Sequence, residues 1–156
     1  MLEIGQKIPL KIKVKNLQNK EVTLKKYLGQ PLVIYFYPKD NTPGCTKEAR
    51  SFRSNMQQLQ ELGVKVVGVS QDDVESHKKF KQKLNLNFEL LSDESRELMK
   101  AFGVWQEKRM FGKSYMGTVR STFAVDEKGI IIYVWPRVRP TEHAEQVLKF
   151  FQEQVN

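Results

Sequence analysis

Residues 32–37 read LVIYFY, an unbroken β-branched and aromatic run that Pro38 closes. A strand wet on one side would alternate apolar with polar residues; this run does not, so it is read as a central strand covered on both faces. After the polar turn Pro38-Lys39-Asp40-Asn41-Thr42-Pro43-Gly44, apolar positions recur at Cys45, Ala49, Phe52, Met56, Leu59 and Leu62, the spacing of an amphipathic helix. Gly63 closes that helix, and Val64, Val66, Val67 and Val69 supply a second buried strand ending at Ser70. Strand, helix and strand within about forty residues make a βαβ unit.

The remaining segments are assigned around that unit. Residues 11–15 alternate charge with Ile12 and Val14 and read as a strand with one wet face, followed by a polar turn over residues 16–20. Val22, Leu24, Tyr27 and Leu28 read as a short turn or helical piece packing onto the core, ended by Gly29 and Pro31. A second helix runs from Gln71-Asp72-Asp73 to about Leu84, with acids at its start and lysines at its end, as the helix dipole favours. Residues 88–91 are extended, and a short helix through Glu97, Leu98 and Ala101 stops at Gly103. Residues 104–119 show no period and are expected as a long, basic, aromatic and glycine-punctuated connection, a length that marks functional loops. Residues 121–125 and 130–135 are strands joined in a hairpin by residues 126–129, and Thr141 is placed to cap a final helix bearing Ala144, Val147, Leu148 and Phe151. The expected architecture is a single α/β domain over residues 1–156, with a central mixed β-sheet and helices on both faces.

A domain of 156 residues buries about 68–70% of its unfolded surface and needs no staple. The single cysteine excludes an intrachain disulfide and a multi-cysteine zinc site, and it fits a reducing, cytoplasmic setting. The N-terminus has no basic region followed by a long apolar core, and no run approaches a membrane span. The net charge of +8 is diffuse: residues 1–30 carry seven basic and two acidic side chains, a net of +5. Without a binding motif beside it, that charge argues against specific nucleic-acid recognition. His77 and His143 stand apart in sequence and are expected on helix surfaces, with no metal or cofactor implied.

Cys45 falls in the first turn of its helix, where unpaired N–H groups favour a thiolate, and on a face where it also suits a buried apolar position. Thr42 lies three residues earlier and serves either as the helix cap or as a hydroxyl facing the sulfur. Arg120, just before the strand of residues 121–125, is the candidate cation, the alternative being an ordinary surface arginine. Ionisation alone aids any thiol modestly, since lowering its pKa from about 8.5 to about 6 raises the thiolate fraction at neutral pH only about thirtyfold.

The segment PKDNTPGC, residues 38–45, resembles the Pro-x-x-x-Thr-x-x-Cys signature of peroxiredoxins. FYPKDNTPGCT, GVSQDDVESHKKF, LLSDES, FGVWQEKRMFGKSYMG and VRSTFAVDEKG are similar, in order and spacing, to the bacterioferritin comigratory protein or Q-type branch. The resemblance implies a thioredoxin-like fold and a peroxidase of hydrogen peroxide and organic hydroperoxides. It implies that Cys45 is oxidised to sulfenic acid, that Thr42 hydrogen-bonds the peroxide, that Pro38 shields the sulfur and that Arg120 steadies the charge. Glu48 occupies the family's acidic supporting position, and its presence there rules out a Cys-x-x-Cys oxidoreductase. Many members carry a resolving cysteine five residues after the first, where this chain has Arg50. The expectation is therefore a one-cysteine enzyme completed by thioredoxin, glutaredoxin or glutathione, and the resemblance implies a monomer. The alternative is a non-catalytic, chaperone-like binding protein of the same fold with a basic surface.

Overall fold

The computed structural model describes residues 1–155; Asn156, the last residue of the expected domain, lies outside the described residues. The strands are β1 (Val14–Lys15), β2 (Glu21–Val22), β3 (Leu32–Phe36), β4 (Lys65–Ser70), β5 (Glu89–Ser92), β6 (Trp105–Met110), β7 (Lys113–Thr118), β8 (Ser121–Val125) and β9 (Ile131–Trp135). The helices are α1 (Pro43–Glu61), α2 (Val74–Leu84), α3 (Glu97–Phe102) and α4 (His143–Val155), with a 3-10 turn over Leu24–Tyr27. Seven strands form one mixed sheet in the order β2-β1-β5-β4-β3-β8-β9. β3 pairs parallel with β4 and antiparallel with β8, so it is flanked on both edges.

The continuous apolarity of β3 is explained by two cores. Val33, Tyr35 and Tyr37 point to one face, where they pack with Phe52 of α1, Phe80 of α2 and Val147 of α4. Leu32, Ile34 and Phe36 point to the other, against Leu98 and Phe102 of α3 and against Leu24 and Tyr27. Gly68, opposite Tyr35 in the register, lets the phenol ring lie over β4: a Cβ there would meet that ring at 2.8 Å.

Two expectations are corrected. Residues 104–119 are not a loop but chiefly the β6–β7 hairpin, paired from Trp105↔Thr118 to Met110↔Lys113 and turned at Phe111 and Gly112, both at positive φ. Because most side chains on both of its faces are exposed, no apolar alternation marks its strands. His77 and His143 are not surface residues but are buried. His77 falls at helical spacing between Val74 and Phe80, and His143 one turn before Val147, so both lie on the apolar stripes of their helices.

Candidate active site

The end of β3 and the start of α1 are joined by residues 37–42, and Pro43 opens the helix at a position where a missing N–H costs nothing. Thr42 is the N-cap residue in extended backbone, but its side chain makes no capping bond; its hydroxyl donates instead to the Lys39 carbonyl (3.0 Å). The early N–H groups of α1 are therefore left unclaimed by that hydroxyl. Cys45 follows in the first turn, 2% exposed and unpaired with any other sulfur.

Arg120, between β7 and β8, reaches across from the sheet to the helix. Its Nη2 donates to Cys45 Sγ (3.3 Å) and its Nη1 to Glu48 Oε1 (2.8 Å), one turn further along α1. The backbone beneath it is tied down, because Val138 N–H donates to the Arg120 carbonyl (2.9 Å). Gly44 makes room for this approach: a Cβ there would stand 3.1 Å from Arg120 Nη2 and 3.5 Å from Pro140 Cγ. Of the residues singled out in sequence, Cys45, Arg120 and Glu48 are thus brought together, while half-buried Pro38 and Thr42 occupy the loop leading into the helix.

The Glu48 carboxyl is fully buried and its Oε2 finds no hydrogen-bond partner among the described residues. Burial pushes Glu48 up to about 7 against the opposing pull of Arg120. On Arg120 burial acts downward, but the charges of Glu48 and Cys45 outweigh it and hold the guanidinium protonated. Between about pH 4.5 and about 7 the folded protein keeps a Glu48 proton that the unfolded chain releases, so this group's contribution to stability falls as pH rises through that window. Glu48→Gln is expected to remove the decline, flattening the pH dependence of denaturant-unfolding free energy by on the order of a few kcal/mol between pH 4.5 and pH 8.

Three nearby groups escaped the sequence reading. Lys108 of β6 is pulled down by burial and then by Arg120, with Cys45 acting in the opposite sense, which brings the hairpin into the electrostatic field of the sulfur. Its only sequence signal was the basic character of residues 104–119. Gly44 reads in sequence as a turn residue alone, and His143 Nε2 shares a hydrogen bond with the Thr122 hydroxyl (2.7 Å) behind the site. Burial pulls His143 down to about 4, so it is neutral at physiological pH.

The arrangement of sheet and helices defines a thioredoxin-like fold. A structure of the bacterioferritin comigratory protein of Xanthomonas campestris superposes with a TM-score of 0.91 at 35% identity, covering 99% of this chain and 100% of that one. A Xylella fastidiosa PrxQ mutant does so at 0.94 and 36% identity, covering 100% and 99%. The AhpC/TSA family model matches residues 4–134, and the chain belongs to that family, in its Bcp or Q-type peroxiredoxin branch. Peroxiredoxin Bcp of Bacillus subtilis is 45% identical over 152 residues, 97% of this chain and 96% of the relative. Peroxiredoxin Bcp of Escherichia coli K12 is 40% identical over 152 residues, 97% of each.

Proposed function

We propose that this protein is a thiol-dependent peroxidase in which Cys45 attacks the peroxide and an external thiol completes the cycle. The observation that carries the reading is the guanidinium of Arg120, which meets the sulfur at 3.3 Å while Glu48 holds its other nitrogen at 2.8 Å. The thiolate of Cys45 attacks one peroxide oxygen, and an S–O bond forms as the O–O bond breaks. The electron pair goes to the departing oxygen, which takes a proton and leaves as water or an alcohol, and the sulfur becomes a sulfenic acid. Arg120 steadies the thiolate and the charge developing on the oxygens, Glu48 holds Arg120, and the Pro38 ring shields the sulfur. Thr42, which donates to the Lys39 carbonyl, keeps oxygen lone pairs free to accept the peroxide O–H.

Resolution comes from outside the chain. Cys45 is the only cysteine, and Arg50, at the position of many relatives' resolving cysteine, is an exposed residue of α1. One external thiol attacks the sulfenic sulfur and expels water, and a second releases Cys45 from the mixed disulfide. Glutathione, glutaredoxin and thioredoxin are the proposed donors, acting on a one-domain monomer in the cytoplasm. No described helix is long and apolar enough to cross a membrane. Peroxide consumption measured with each donor in turn is expected to be sustained with at least one and to stop after a single equivalent without any. Turnover that persists in the absence of every thiol would remove the external-thiol step.

A further inference from the structure

Behind the loop that carries Pro38 and Thr42 lies a buried polar network that the chemistry above does not use. Asp40, midway between those two residues, is buried, and three donors from two elements converge on its carboxylate. The Tyr37 hydroxyl donates to Oδ1 (2.5 Å), and the Ser76 hydroxyl (2.8 Å) and His77 Nδ1 (2.7 Å) meet Oδ2. The main chain is held as well, since Asp40 N–H donates to Asp72 Oδ2 (2.8 Å), which also accepts from the Ser70 hydroxyl (2.6 Å).

His77 is the pivot of this network. Its Nε2 faces the Leu91 carbonyl of β5 (3.0 Å), which only accepts, so Nε2 carries a proton. Its Nδ1 faces a carboxylate oxygen, and a second proton lies on that line. The ring and Asp40 together form a hydrogen-bonded pair removed from solvent, the side chains being 0% and 3% exposed. Asp40, Asp72 and His77 bring potential metal-ligating atoms within 4.8 Å of one another, but these atoms are already engaged in hydrogen bonds: Asp40 Oδ2 with His77 Nδ1, and Asp72 Oδ2 with the Asp40 N–H and the Ser70 hydroxyl.

On its outer side the loop is not packed. A cleft of about 410 Å³, lined by Asp40, Asn41, Ser76, Lys79, Phe80 and Lys83 among others, separates it from α2. The contact across that side is the exposed bond from Lys83 Nζ to Asn41 Oδ1 (2.7 Å), at a residue whose φ is 62°. The inner network therefore sets where the loop sits.

We propose that Asp40 is a positioning residue for the peroxide reaction, fixing the loop that places Thr42 and Pro38 at Cys45 through its buried contacts with His77, Ser76 and Tyr37. The inference rests on the peroxidase reading. It ties the geometry at the sulfur to α2, which contributes no residue to the reacting atoms. A displacement of the order of 1 Å in a positioned reactant costs about a hundredfold in rate.

The test compares wild type, Asp40→Ala, Asp40→Asn and His77→Gln by two rapid-mixing rates on the reduced protein: oxidation of Cys45 by hydrogen peroxide, and its alkylation by iodoacetamide, which needs no seated peroxide. Asp40→Ala is expected to oxidise about a hundredfold more slowly while alkylating within a few-fold of wild type. Asp40→Asn, which can accept from Tyr37 through its amide oxygen and donate to His77 Nδ1 through its amide nitrogen, is expected to recover most of the rate. His77→Gln is expected to fall between them. Equal losses in both rates, or no loss in oxidation, would overturn the proposal. If Asp40→Ala does not fold, His77→Gln decides it: a loss confined to oxidation supports the proposal, and equal losses in both rates or no loss in oxidation overturn it. A wild-type protein that alkylates but does not react with peroxide would instead sink the peroxidase reading itself.

Discussion

Cys45→Ser is expected to lose peroxide consumption completely, a fall on the order of the 10⁶-fold at which enzymatic accelerations begin. The substitution changes one buried atom and is expected to leave the Arg120–Glu48 pair and the helix in place. A hydroxyl in the same position is almost entirely protonated and does not take up a peroxide oxygen as a thiolate does. Steady-state consumption with a saturating thiol donor reads the effect, and melting temperature verifies the fold. The competing account, a basic binding module without turnover, predicts anion binding that weakens with salt and survives this change.

Arg120→Ala carries the next largest effect. Removing a preorganised donor aimed at developing charge costs about 10²- to 10³-fold, and here the same side chain also loses its hold on the sulfur at 3.3 Å. Arg120→Lys should recover only part, because a point charge cannot reach the sulfur through one nitrogen and Glu48 through another. The alanine variant further strands Glu48, a carboxyl with no exposure, without its cation. Adding Glu48→Gln to Arg120→Ala should therefore restore stability without restoring rate. A double variant that regains both would assign Arg120 a purely structural role.

Much of the fold was legible because burial leaves periodic traces. The unbroken apolarity of residues 32–37 located the central strand, and the spacing from Cys45 to Leu62 located α1 over its sheet face. The same spacing places His77 on the stripe of Val74, Phe80 and Leu84, and it is buried there, although its isolation from other ligand-type residues in the sequence reads as a surface position. The β6–β7 hairpin left no such trace, since Phe111 at its turn is 97% exposed and its paired residues mix cations with aromatics on one face.

The site divides along a similar line. Cys45 at a helix start was visible in the local pattern, and its partner Glu48 sits one turn away on the same helix. The contact of Arg120, 75 residues further on, depends on the register of β8 against β3, which no local pattern encodes. The hydroxyl of Thr42 reads in sequence as a helix cap and donates instead to the Lys39 carbonyl.

The most direct measurement is the intact mass of the reduced protein after one equivalent of hydrogen peroxide. One oxygen should be added, localised by peptide mapping to Cys45 and removed by a subsequent excess of thiol. A protein that leaves the peroxide unconsumed and its mass unchanged, with Cys45 still open to alkylation, would contradict the account.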